Sequence, residues 1–127
     1  MKKLSFSLIL LILPSSCLFS KGENYKRISM DEAKALMEES EGYILLDVRT
    51  KEEYESGYIP GAINIPLSDI NGNVVSSLPD KSRMILVYCR SGNRSRQASD
   101  KLSRLGYTNI IEIGGINSWK GEIIKID

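Results

Sequence analysis

The run Met84-Ile85-Leu86-Val87-Tyr88 constrains this chain more than any other feature. A strand with one wetted face alternates apolar with polar residues, whereas a continuous apolar run is buried on both faces, as in the centre of a parallel sheet. Parallel neighbours need crossover connections, usually helical, and the flanking sequence supplies them. Ser29 with Glu32 three places on forms a capping box, Ile28 and Ala33 are placed as a hydrophobic staple, and Ala33, Leu36 and Met37 follow at helical spacing. This predicts a helix over 30–40. Tyr43 to Leu46 reads as a second buried strand ending at Asp47-Val48-Arg49, and Thr50 with Glu53 starts a short helix that Gly57 stops. Pro60-Gly61 is a turn, and Ala62 to Ile65 a strand halted by Pro66.

Residues 67–80 lose all periodicity at Asn71-Gly72-Asn73, which predicts loop and one short helix. From Arg94 onward Ala98, Leu102 and Leu105 share a helical face, and Gly106 sits where a helix-ending glycine belongs. Ile110 to Ile113 is the last strand, Gly114-Gly115 a turn and Ile116 to Lys120 a closing helical turn. The fold class is α/β: a parallel sheet with helices on both faces.

The chain has 127 residues, enough for one domain, which we place at 24–127. The first twenty residues belong to targeting instead. Lys2 and Lys3 precede the apolar stretch Leu4 to Leu13, and Pro14-Ser15-Ser16-Cys17 follows. That stretch falls short of the roughly 20 residues that cross a bilayer, so residues 1–20 read as an export signal. Two processing outcomes stay open. Cys17 sits where a bacterial lipoprotein signal places its lipidated cysteine, although Pro14 three places before it departs from the usual pattern. Otherwise cleavage near Ser20 releases a soluble periplasmic protein. The membrane would be met only through that lipid anchor. Removal of 1–20 takes away two lysines and no acid, so the formal charge moves from +1 to −1, which gives no reason to expect nucleic acid.

The chain contains no histidine and two cysteines, which excludes Ser-His and Cys-His nucleophile pairs, zinc clusters and disulfide scaffolds. With Cys17 removed or acylated, Cys89 is the one thiol left. It ends the strand 84–88, where open parallel sheets bind their ligands, and Arg90-Ser91-Gly92-Asn93 leads from it into the helix near Arg94. Gly92 allows a tight curl, and the free N–H groups of this loop and the first helical turn can converge as an anion cradle. Facing a helix N-terminus with Arg90 and Arg94 nearby, the sulfur is expected as thiolate, ready without a base. A free cysteine more commonly serves as a small buried hydrophobe. Yet Arg90, Ser91, Gly92, Asn93 and Arg94 suit solvent or an anion better than a core.

Leu45-Leu46-Asp47-Val48-Arg49, then Glu53-Tyr54, Gly57 to Pro66, Val87-Tyr88-Cys89-Arg90-Ser91-Gly92-Asn93-Arg94-Ser95, Gly114-Gly115 and Trp119 closely resemble the rhodanese-like domain, in order, from about residue 26 to 122. The resemblance implies a three-layer fold around a mostly parallel five-stranded sheet. It implies that Cys89 takes a sulfane sulfur from a small anionic donor such as thiosulfate, carries it as a persulfide and passes it to cyanide, a thiol or a protein acceptor. The amides of residues 90–94 would form the cradle, Arg90 and Arg94 would help hold the donor, and Asp47 and Arg49 would be structural. No cofactor is implied. Tyr58 stands where the family usually has histidine, at a position that supports a loop.

Related phosphatases and arsenate reductases use a loop one residue longer before the arginine. Here that place is Ser95, and Arg94 comes one early, so a cradle for sulfur is expected rather than one for phosphoryl. A non-catalytic sulfur-carrier or binding module is the third reading, since some family members lack the cysteine. Seven basic residues between 81 and 104 (Lys81, Arg83, Arg90, Arg94, Arg96, Lys101, Arg104) against Asp100 could steer anions or simply line a solvated face. Trp119 is expected as a core anchor rather than a lid.

Overall fold

A computed structural model describes residues 24–126; the expected signal segment 1–20, with Cys17, lies outside the described residues. Within them no helix is long and apolar enough to cross a membrane. Five parallel strands, β1 (Lys26–Arg27), β2 (Ile44–Asp47), β3 (Ile63–Asn64), β4 (Ile85–Cys89) and β5 (Ile110–Gly115), pair in the order β1-β5-β4-β2-β3. The run that predicted a central strand is the central strand, buried along its whole length.

Side chains leave a strand alternately to either face, and the sheet accordingly has two cores. Leu45, Leu86, Tyr88, Ile111 and Ile113 pack on one side with Met30 and Ala33 of helix α1 (Met30–Glu39). Leu46, Ile85, Val87, Cys89 and Ile110 pack on the other with Ala98 and Leu102 of helix α3 (Asn93–Arg104). Both capping boxes form: Ser29 caps α1, and Thr50 caps α2 (Lys51–Ser56). Trp119 packs, partly buried, against the α1 side.

Four expectations need correcting. Gly114 and Gly115, expected as a turn, complete β5, where Gly115 pairs opposite Cys89. Residues 67–80 hold two 3-10 turns, Leu67–Asp69 and Gly72–Ser76, in place of one short helix. The closing turn is also 3-10 and shorter, Ile116–Ser118. The fifth strand is β1, which the hydrophobic pattern does not show. Lys26 and Arg27 are both exposed, and this two-residue edge strand joins β5 through its backbone and an Arg27–Glu112 contact at 3.7 Å, so its side chains carry no apolar period.

Candidate active site

Strand β4 ends at Cys89 between β2 and β5, and the turn into α3 closes over it. Gly92, the N-cap of α3, has φ of 109°, a left-handed conformation that a side chain would strain. This lets its N–H turn back and donate to Cys89 Sγ at 3.0 Å. Gly115 is required for a different reason. A Cβ there would stand 2.1 Å from the Arg90 carbonyl oxygen, so only glycine lets β5 pass against the loop. The Asn117 N–H donates to the same carbonyl at 3.2 Å and anchors the loop from beneath.

Arg90, Ser91 and Asn93 are exposed and form the rim, whereas Cys89 is 1% exposed and belongs to the core on the α3 side. The thiol is therefore both the last packed residue of β4 and a sulfur with polar partners. Of the sequence-expected cradle amides, the one that reaches the sulfur itself is that of Gly92. Two cavities flank the loop. One of about 560 Å³ runs past Ser91, Gly92, Arg96, Glu112 and Gly114, and one of about 240 Å³ lies among Val48, Thr50, Leu67 and Arg94.

The two loop arginines differ. Arg90 stands in solvent, while Arg94 donates to both Glu53 carboxylate oxygens, at 2.7 and 3.0 Å. These bonds, with those from Thr50, outweigh partial burial and hold the Glu53 carboxyl down to about 2. Arg94 thus brings to the site a charge already shared with Glu53. Of the other basic residues, Lys81 donates to the Leu105 carbonyl, Arg83 to the Gly42 carbonyl, and Arg104 pairs with Asp100. Lys81 and Arg83 precede β4, at the opposite end of the sheet from Cys89. Of the seven, Arg90, Arg94 and Arg96 lie in the loop after Cys89 or the first turn of α3.

Asp47 and Arg49 form a buried ion pair with Nη2 to Oδ2 at 2.6 Å and Nε to both carboxylate oxygens at 3.0 Å. Arg49 also donates to the Gly57 carbonyl, and Asn64 of β3 donates to the Asp47 and Arg49 carbonyls. Together these contacts join the end of β2 to α2 and β3. Burial, with the Asp47 charge adding to it, pushes the Tyr88 phenol up, so its hydroxyl stays neutral and accepts from the Ile59 N–H. Tyr58 stacks on Tyr54 and bridges to Ile124, away from the sulfur.

Two residues for which the sequence suggested no role in the site touch the surroundings of Cys89. Ser95, fully buried in the first turn of α3, has its Oγ 3.4 Å from Cys89 Sγ. Glu112, 4% exposed, hydrogen-bonds with Ser95 Oγ and accepts from the Gly114 N–H at 2.9 Å. A signal was present: Glu112 is one carboxylate inside the apolar strand Ile110-Ile111-Glu112-Ile113, a place where an acid is costly without partners.

The rhodanese-like domain profile matches residues 29–122. The chain is 41% identical over 71 residues to the thiosulfate sulfurtransferase PspE of Escherichia coli, covering 56% of this chain and 68% of that protein. It is 36% identical over 102 residues to the adenylyltransferase and sulfurtransferase uba4 of Ogataea parapolymorpha, but spans only 25% of that longer protein. Among solved structures, an E. coli rhodanese with anions superposes with a TM-score of 0.61 at 36% identity, over 65% of this chain and 98% of that one. A rhodanese-like domain protein of Staphylococcus aureus gives 0.70 at 33% identity, over 80% and 99%.

Proposed function

The chain belongs to the rhodanese-like domain family, and from that membership we propose that it is a sulfurtransferase whose nucleophile is Cys89. Its donor is thiosulfate or a similarly small anion carrying a sulfane sulfur. The Cys89 thiolate attacks that sulfur, the donor's S–S bond breaks, and sulfite leaves with the bonding electron pair. Cys89 is left as a persulfide with its charge on the outer sulfur. Cyanide or a thiolate, free or on a protein partner, then attacks the outer sulfur and regenerates the Cys89 thiolate.

The observation that carries this reading is the sulfur at the end of the central strand, accepting the Gly92 N–H beneath a loop pinned by Asn117. A backbone donor aimed at sulfur stabilises the thiolate as leaving group when the persulfide is discharged. Arg90, exposed on the rim, supplies most of the attraction for the donor, because Arg94 shares its charge with Glu53. With Cys89 1% exposed, the donor reaches the sulfur as the rim Arg90–Asn93 gives way. The loop is one residue shorter than the phosphatase type, which favours a sulfur atom over a phosphoryl group.

Intact-mass measurement after incubation with thiosulfate tests the reading. Wild type gains one sulfur, cyanide removes it, and Cys89→Ser gains none. A wild-type protein that takes no sulfur but hydrolyses an aryl phosphate overturns it. We also propose that the protein works outside the cytoplasm, on the strength of residues 2–17. Palmitate labelling lost in Cys17→Ala supports the lipid-anchored form, and a cytoplasmic full-length chain refutes export.

A further inference from the structure

Ser95 Oγ has more polar neighbours than its single proton can serve. Within reach are the Gly92 carbonyl at 3.0 Å, the Gly114 carbonyl at 3.3 Å, Cys89 Sγ at 3.4 Å and Glu112 Oε2. A hydroxyl donates once, so the contacts toward Cys89 and Glu112 require a proton from one of those two groups. Either the Cys89 S–H donates to Ser95 and Ser95 donates to the Glu112 carboxylate, or a protonated Glu112 donates to Ser95, which then donates to the thiolate.

The sheet register produces this cluster. Glu112 lies opposite Val87 in the β4–β5 ladder and so faces α3, as Cys89 does. The register then shifts, setting Cys89 opposite Gly115 and placing the carboxylate beside the loop rather than under the strand.

Two anions separated by one buried hydroxyl cannot both be held cheaply. Two other carboxylates at this end of the sheet have close cations: Asp47 has Arg49 at 2.6 Å, and Glu53 has Arg94 at 2.7 Å. Glu112 has Arg27 of β1 at 3.7 Å, and that side chain is 41% exposed. The remaining charges around its cavity are Arg96 of α3 and the pair Lys120–Asp31, 3.0 Å apart, while Arg90 and Arg94 lie on the Cys89 side.

We propose that Cys89 and Glu112 share one proton through the Ser95 hydroxyl, so that the nucleophilic thiolate exists when Glu112 is a carboxylic acid. The step breaks the Cys89 S–H bond and forms an O–H bond on Glu112, with no change of oxidation state. The proton stays on Glu112 at rest and while the sulfur attacks, carries and releases its cargo. Glu112 is in this sense a positioning residue for the proton. It gives a chain without histidine a base, deepening the proposed function, which needs Cys89 as nucleophile.

The test is infrared difference spectroscopy, combined with the pH dependence of Cys89 alkylation by iodoacetamide. Wild type at neutral pH is expected to show the carbonyl stretch of a buried carboxylic acid. That band is lost on alkylation of Cys89, in Cys89→Ser and in Glu112→Gln. Alkylation of wild type is expected to rise with pH in two steps with a plateau between them, and in Glu112→Gln in one step. A spectrum without the acid band, or a one-step profile in wild type, overturns the proposal. The wild-type and Cys89→Ser spectra decide it even if Glu112→Gln fails to fold. Normal sulfur uptake with no acid band defeats the shared proton alone; an acid band as described without sulfur uptake defeats the sulfurtransferase reading alone.

Discussion

Two buried acids flank the end of the central strand, Asp47 on β2 and Glu112 on β5, and they are treated in opposite ways. Asp47 meets a guanidinium that contacts both its oxygens, and Arg49 is itself tied to the Gly57 carbonyl. Glu112 meets a hydroxyl, an amide and a distant, half-exposed arginine. A charge satisfied on every side has no proton chemistry left to offer and serves as a rivet. A charge satisfied mainly by one hydroxyl that also touches Cys89 stays available to chemistry. Burial alone does not separate the two roles; the partners do.

Stability should separate them first. Arg49→Met leaves Asp47 charged and uncompensated, and is expected to lose about 3–5 kcal/mol in urea unfolding. Glu112→Gln keeps an acceptor for Ser95 and Gly114 and should lose about 1 kcal/mol. Equal losses would erase the contrast. Gly115→Ala comes next. Its Cβ would stand 2.4 Å from the Arg90 carbonyl carbon and 2.6 Å from Ser91 Cα. Backbone must move, at about 1–3 kcal/mol, and sulfur uptake should fall much further than stability because the displaced loop carries the Gly92 N–H. Unchanged uptake would show that the β5 side does not position the loop.

A smaller effect comes from Glu53, the third carboxylate. Its folded-state value is lowered from 4.5 to about 2 by Arg94 first, with Thr50 contributing. A lowered acid stabilises the fold above its unfolded value and loses that contribution as pH falls through the folded one. Stability of wild type should therefore decline between about pH 4.5 and about 2 more steeply than that of Glu53→Gln. Parallel curves would show that the Glu53–Arg94 pair contributes nothing. The smallest expected change is Thr50→Ala at the cap of α2, about 1 kcal/mol or less.

Local chemistry made much of the molecule readable. Both capping boxes, the central strand, the apolar face of α3 and the turn at Gly92 depend on residues within a few places of one another, and each was visible as a spacing. The strand Lys26–Arg27 was not, because an edge strand with exposed charges pairs through its backbone. Nor were the 3-10 turns over 67–76, where no apolar period distinguishes one kind of turn from another.

By itself, the sequence determined that a thiol would end a buried parallel strand under a glycine-containing loop, in a chain with no imidazole to serve it. Tertiary structure decided which charges surround that thiol. It gave Arg94 to Glu53, from which it is 41 residues distant, and brought Glu112 to Ser95 across 17. Those meetings depend on strand order and on one register shift in the β4–β5 ladder. Both are set by packing the whole sheet, and no short stretch of residues encodes them.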